Sequence, residues 1–242
     1  MSSVDLPRPA PDGPASPADR VHPVLPVEDP ARKAGRAKPA NDPQSRAARR
    51  GAILAAALDR FARQGYGDTR LEDVARAAGV AKGTLYLYFP NKQALFEGLV
   101  TSAISPALAD AAALLPHFTG TTRALLDLLV DLLVTRILDR PERAILLLMI
   151  TEGARFPDLA AFHHREVVAP GLDLLRAVLA RGQARGEVRS DAAQRFPQMM
   201  FASAVTALVW QNLFSGIDPL DVRAFVVAHT EVLLCGLEGN GP

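Results

Sequence analysis

The chain has 242 residues, 49% hydrophobic and 22% charged, with a formal net charge of +1 at pH 7. That length suits one or two domains of ~100–200 residues each, and the composition is globular. The single cysteine, Cys235, excludes an intramolecular disulfide framework and suits a reducing cytosol, where it reads as a small apolar residue of a C-terminal helix.

Charge is unevenly placed: −3 over residues 1–30, +8 over 31–92 and −4 over 93–242. The near-zero total argues against a nucleic-acid binder, but a basic block joined to a mildly acidic one implies that only the first meets phosphate. No membrane partner is expected. The best apolar run, Ala144 to Ile150, is seven residues long, against ~20 for a helix that crosses a bilayer. The N-terminus has no charged region followed by an apolar one, so no secretory signal is expected.

Residues 1–44 hold 10 of the 19 prolines and few large apolar side chains. Such a segment buries too little surface to offset chain entropy and is expected to be disordered. Its basic end (Arg32, Lys33, Arg36, Lys38) reads equally as an arm following a DNA backbone and as a solvated tail. A first helix is expected from Ser45 to Gln64, ending at Gly65, with Leu54, Ala57, Leu58 and Phe61 on one face. Arg46, Arg49 and Arg50 at its start oppose the helix dipole, which a nearby phosphate would explain. Gly65-Tyr66-Gly67 is a turn, because it lacks the spacing and preceding strand of a nucleotide-binding loop.

Thr69 to Lys92 reads as two short helices joined by a tight turn. Thr69 can cap the first, with Glu72 completing the box, and Leu71, Val74, Ala75 and Ala78 share a face. Gly79 suits a left-handed stop. The second helix runs from about Ala81 to Phe89 with Leu85 and Phe89 facing one way, and Pro90 ends it. Lys82, Thr84, Tyr86 and Tyr88 occupy the remaining surface, a poor design for a core and a good one for a DNA groove. Lys82 can donate to guanine or phosphate, and Thr84 can contact a base edge or a thymine methyl. Gly83 permits close approach, while Tyr86 and Tyr88 reach phosphate oxygens.

The run A-x-x-A-G-V-A-K-G-T-L-Y-L-Y-F-P-N-K-x-x-L-F resembles the helix-turn-helix of the tetracycline-repressor (TetR) family of bacterial regulators, the likeness covering roughly Ala48 to Leu99. The resemblance implies an all-α fold of about nine helices, with a three-helix DNA-binding head over 45–92 and a ligand-binding and dimerisation domain over 93–242. It implies a double-stranded DNA operator, a homodimer through the last two helices, a small-molecule effector, a cytoplasmic setting and no cofactor. The recognition helix would enter the major groove N-terminus first. Lys92 matches the family's phosphate-contacting lysine. Arg70, at the start of the second helix, replaces a usual small hydroxyl residue and adds a candidate phosphate contact, and Thr69 beside it is a further candidate DNA contact. Ala81 replaces a usual serine cap. The segment E-G-A-R-F-P-D-L-A-A-F-H-H-R-E resembles the AefR-like branch.

The remaining chain is helical in pattern, with no alternating strand runs and no fixed-period repeat. A fourth helix is expected from Asn91 or Lys92 toward Leu115, kinked at Pro106. Others follow over Thr121–Asp139, Pro141 to about Ala154, Pro157–Arg185 with a bend at Pro170, Asp191–Phe214 and Pro219–Leu237. Phe196, Met199, Met200, Phe201, Val205, Leu208, Val209 and Leu213 cover more than one stripe, so one side can serve the core and the other a partner subunit. Met149, Phe156, Phe162, Met199 and Trp210 offer flat or adaptable surfaces to an apolar effector, though such residues more commonly form plain core.

His163 and His164 point ~100° apart on a helix, and His163 with Glu166 has no third ligand, so no metal is expected. Ser203 and Ser215 lack a nucleophile elbow, and Asp127 with Asp131 reads as a solvated strip, so no enzymatic activity is expected. A helical interaction or scaffold protein would explain the C-terminal two thirds but not Lys82–Tyr88. The expected mechanism is a two-state dimer, most commonly a repressor in this family, in which effector binding tilts the fourth helix and pulls the heads out of register. A differential affinity of ~1–3 kcal/mol gives ~5–150-fold regulation.

Overall fold

Pro43 opens α1 (Pro43–Asp68), where its missing N–H costs nothing because first-turn donors have no intrahelical partner. The computed structural model describes residues 42–238; among them every regular element is helical. The disordered tail expected over 1–44 therefore falls outside the described residues, except for Asp42, the N-cap of α1, and residues 43 and 44, which belong to that helix. Ile53, Leu54, Ala57 and Phe61 bury one face of α1. At Gly65 the backbone turns to φ +78°, which a side chain would resist, and the regular run ends where the sequence placed its stop.

The next helices are α2 (Leu71–Ala77) and α3 (Lys82–Tyr88), separated by Gly79 at φ +66°. The cap of α2 differs from expectation. Arg70 holds the N-cap position without a side-chain bond, and Thr69 is buried with its hydroxyl donating to the Gly65 carbonyl at 2.7 Å. The carbonyls at the end of α1 need partners, and Thr69, four residues beyond Gly65, supplies one. α3 has seven residues rather than nine, and Ala81 contributes no capping side chain.

Asn91 caps α4 (Lys92–Ala103), accepting from the Ala94 amide at 2.7 Å. The rod breaks at Ile104 before α5 (Ser105–Leu114), since Pro106 cannot donate to the turn below. Together with the 3₁₀ turn Leu115–His117 this rod is 26 residues long and apolar enough in composition to cross a bilayer, a feature that counting short apolar runs missed. Its Leu95, Phe96, Leu99, Val100 and Ile104 are buried against protein instead.

Thr121 caps α6 (Thr122–Leu133), which runs into a π turn at Val134–Leu138. α7 (Arg143–Glu152) starts two residues after Pro141, which stays in the preceding turn. α8 (Pro157–His163) and α9 (Ala169–Ala184) are joined through a second π turn, His164–Val168. Pro170 leaves the Glu166 carbonyl without its ordinary helical donor, and the wider turn before the proline absorbs the mismatch. The helix expected over 191–214 is divided by Pro197 into α10 (Ala192–Arg195), a 3₁₀ turn at Pro197–Phe201 and α11 (Ala202–Phe214). α12 (Val222–Glu238) completes the described chain. Counting α4–α5, α8–α9 and α10–α11 as interrupted rods, the described residues form the expected nine helices.

One apolar cluster crosses the head–body boundary expected at residue 92. Ile53, Phe61, Val74 and Leu85 of the head are continuous with Phe96, Ile137, Ile145, Leu148, Leu159 and Phe162 of the body. α1 rests on α7 and, less extensively, on α4. A separate cluster of Leu125, Leu126, Leu175, Val178 and Leu234 ties α6, α9 and α12 together.

Candidate nucleic-acid interface and effector cavity

α3 turns one face wholly inward: Leu85 is fully buried, and Phe89 just beyond the helix is nearly so. Lys82, Gly83, Tyr86 and Leu87 are exposed, while Thr84 and Tyr88 are half-buried. Leu87, which sequence reading passed over, is 86% exposed. Lys82 reaches back to α2, with Nζ 2.7 Å from the Glu72 carboxylate and 5.9 Å from the centre of the Tyr86 ring. The hydrogen bond lowers the Glu72 pKa and raises that of Lys82, so the ammonium is held charged on the outer surface. Arg46 on α1 and Arg70 at the N-cap of α2 are exposed, and Arg49 is half-buried. Arg50 lies over the Phe89 ring at 5.4 Å and packs the head rather than projecting from it.

Two residues expected at DNA, Thr69 and Lys92, turn inward. Thr69 is buried and bonded to Gly65, so its hydroxyl is not presented to a phosphate. Lys92 is expected at phosphate, yet its ammonium donates to the carbonyls of Tyr66 at 2.6 Å, Gly67 at 2.8 Å and Thr69 at 3.0 Å. It also lies 4.6 Å from the centre of the Tyr66 ring. An ammonium has three N–H donors, and all three are taken. Desolvation lowers the Lys92 pKa, with Glu152 and Asp68 acting the other way.

Glu152, at the end of α7, grips the same loop from its donor side. Its carboxylate accepts from the Tyr66 amide at 2.9 Å and the Gly67 amide at 3.0 Å. The Tyr66 ring fills the space between, 4.9 Å from Phe156 and 5.4 Å from Phe61. A cation from α4 and an anion from α7 thus fix the Gly65–Thr69 turn that sets the direction of α2 and α3. Nothing local in the sequence signals this pairing, because Glu152 lies 86 residues from Tyr66.

A cavity of about 90 Å³ lies between α5, α6, α9 and the 3₁₀ turn before α11. Leu108, Ala111, Leu126, Leu133, Leu175 and Met200 are among the apolar residues that line it. None of the five residues expected to hold an effector lines it. Phe162 belongs to the head–body core, and Met149 and Phe156 pack against that core. Met199 is 41% exposed, and Trp210 meets Phe214 edge to face with its indole N–H donating to the Asp218 carbonyl. Their aromatic or flexible character identified good packing groups, not the walls of a void. Among the described residues no three His, Cys, Asp or Glu side chains gather as a metal site would need.

α11 presents the two-sided pattern expected over 196–214, and α12 likewise leaves apolar side chains exposed. Ala204, Ala207 and Leu208 are buried, whereas Val205, Leu213 and Phe214 on α11 and Val227 and Val232 on α12 are exposed. Cys235 is exposed on α12 rather than packed in the core.

Comparison with known proteins decides the family. Residues 53–99 match the description "Bacterial regulatory proteins, tetR family", and residues 116–229 match "Tetracyclin repressor-like, C-terminal domain", so the two matches span about two thirds of the chain in family order. The chain belongs to the TetR family. The HTH-type transcriptional regulator RutR of Escherichia coli (strain K12) is 45% identical to this TetR-family chain over 62 residues, 26% of the chain and 29% of RutR. That likeness therefore covers less than a third of the curated relative. The fatty acid degradation regulator FadR from Bacillus halodurans superposes with a TM-score of 0.66 at 24% identity, covering 79% of this chain and 97% of that one. FadR from Bacillus subtilis, solved in complex with stearoyl-CoA, gives a TM-score of 0.64 at 22% identity, over 77% and 98% of the two chains. These likenesses establish the TetR fold over more than three quarters of the chain; neither supports the AefR-like branch in particular.

Proposed function

We propose that this chain is a ligand-responsive, DNA-binding transcriptional regulator, a repressor released from a palindromic operator when a small apolar effector enters its C-terminal domain. The observation that carries the reading is α3, a seven-residue helix anchored by Leu85 and Phe89 with Lys82, Gly83, Tyr86 and Leu87 turned outward from a strongly basic segment. Lys82, Gly83, Thr84, Tyr86 and Tyr88 supply the contacts of the recognition helix, and Arg46, Arg49 and Arg70 supply phosphate contacts around it. The division of labour is a head over 45–92 and a ligand-binding and dimerisation body over 93–242, working in the bacterial cytoplasm without enzymatic activity.

One such helix reads only a few base pairs, so specific binding requires two, about 34–36 Å apart on one face of the duplex. The exposed apolar residues of α11 and α12 provide the surface for a second copy of the chain. The apolar cavity suits a hydrocarbon-rich effector, in line with the stearoyl-CoA bound by the Bacillus subtilis relative and the triclosan bound by SmeT, which superposes with a TM-score of 0.65 at 21% identity. The α4–α5 rod links the two ends of the switch. Ala107, Leu108 and Ala111 of the rod line the cavity, while Lys92, some 15 residues or ~23 Å away at 1.5 Å per residue, holds the loop that aims α3. Effector binding that shifts α5 therefore moves the point at which the head is held.

The test is a gel-shift titration of the full chain against inverted-repeat and scrambled duplexes at graded salt. The expected result is preference for an inverted repeat, an affinity that falls linearly on a log–log scale with salt, and release by an apolar compound that also raises the melting temperature. Equal, salt-insensitive binding to all duplexes would instead favour a helical interaction protein. A finer expectation concerns Glu72. Glu72→Gln removes the anion paired with Lys82 and one negative charge facing DNA, so the variant should bind the operator a few-fold more tightly than wild type, with the difference shrinking as salt is raised.

A further inference from the structure

We propose that Leu87 determines specificity by packing on a thymine methyl group in the major groove, an inference that rests on the DNA-binding reading above. At ~100° per residue, Leu85 defines the buried side of α3, and Gly83 and Leu87 then fall within about 20° of the opposite side. The accessibilities agree: Leu85 is 0% exposed and Leu87 is 86% exposed. A Cβ added to Gly83 would meet nothing within 4 Å, so the middle of the outward face is bare backbone beside one leucine.

The polar groups flank this stripe. Lys82 and Tyr86 lie on one side of it, Thr84 and Tyr88 on the other, by the same helical spacing. The centre of the face therefore offers no donor or acceptor to a base edge. The thymine C5-methyl is the one apolar group that the four standard bases expose in the major groove, and contact with it is the readout open to such a stripe. Gly83 assists by letting the helix axis approach the bases, which brings a four-carbon side chain within reach of the methyl.

Leu87 is also isolated from the protein's other apolar surface. Apart from its neighbour Tyr86, the large exposed apolar side chains of the described residues all lie between Ile150 and Val232, in the body. The leucine extends no subunit-contact face and stands alone among cationic and hydroxyl side chains. The occupant that matches both the apolar tip and its charged surroundings is duplex DNA.

The experiment begins with selection of an operator from a random duplex pool by the full-length protein. Each half-site should contain a fixed A·T pair, and replacing its thymine by deoxyuridine removes only the methyl. Wild type should lose about fourfold in affinity per half-site, the equivalent of one buried methyl group at ~0.8 kcal/mol. Leu87→Ala should lose a similar factor on the thymine operator and be indifferent to deoxyuridine, with unchanged melting temperature because the side chain is exposed. An enriched operator in which no thymine-to-deoxyuridine exchange affects wild type overturns the inference while leaving the DNA-binding reading intact. So does a Leu87→Ala variant that keeps full deoxyuridine sensitivity, or one whose only change is in oligomeric state. A pool from which no duplex is enriched overturns the DNA-binding reading and this inference with it.

Discussion

Lys92→Met is expected to destabilise the protein by about 2–4 kcal/mol while leaving the salt dependence of operator binding unchanged. Hydrogen bonds to a charged group are worth about 1.5–3 kcal/mol each, they are not additive, and the ammonium here is only half-buried, so three of them justify the middle of that range. The side-chain stem is retained in methionine, which isolates the ammonium from the packing beneath Tyr66. A phosphate-contacting lysine behaves in the opposite way: its loss reduces the log–log salt slope by about one unit and barely changes stability. Urea denaturation and salt-graded binding on the same variant therefore separate the two roles. Lys92→Arg should not rescue, because a planar guanidinium fork cannot point three donors at the converging carbonyls of Tyr66, Gly67 and Thr69. Glu152→Gln should cost less than Lys92→Met, since one amide oxygen can still accept from Tyr66 or Gly67. Full stability in Lys92→Met combined with a reduced salt slope would restore the phosphate-contact role.

The helix-turn-helix was legible because its determinants are local. Gly79 stops a helix by its own backbone freedom, Pro90 by its missing donor, and Leu85 with Phe89 marks the buried side by simple spacing. The interruptions of the body were half legible: Pro106, Pro170 and Pro197 each sit at or just after the break, but only the first two were expected to matter. What stayed hidden depends on contacts between distant residues. Thr69 and Lys92 have side chains that suit phosphate equally well, and only the folded Gly65–Thr69 turn shows that its own carbonyls consume them. The cavity was hidden for a related reason. Leucines and small residues make up most of its lining, and in sequence they cannot be told from leucines that fill a core, whereas the five methionines and aromatics assigned to an effector are packed or exposed elsewhere.

Acidification should expose a second large effect, centred on His163. The side chain is 7% exposed, its Nδ1 finds no partner in the protein, and burial, with a smaller contribution from His164, pushes its pKa down to about 4. In the unfolded chain the same imidazole titrates near ~6.5. Above that pH it is neutral in both states and contributes no pH dependence. Between about 6.5 and 4 the unfolded chain takes up a proton that the folded chain refuses, so stability falls as pH falls through this window, and the loss levels off below it. By pH 4.5 the deficit attributable to this one group should reach roughly 2–3 kcal/mol, at ~1.36 kcal/mol per unit of pKa difference. His163→Leu should abolish that component and be neutral or stabilising at pH 7.5, because it also removes a buried, unpartnered nitrogen. Urea denaturation of wild type and variant at pH 7.5 and 4.5, at equal chain concentration so that any association contributes equally, gives the difference directly. Carboxylates that titrate in the same range act on both proteins and cancel. Identical losses in the two proteins on acidification would show that His163 becomes protonated in the folded state as readily as in the unfolded one, and that the α8 segment opens to water before the protein unfolds.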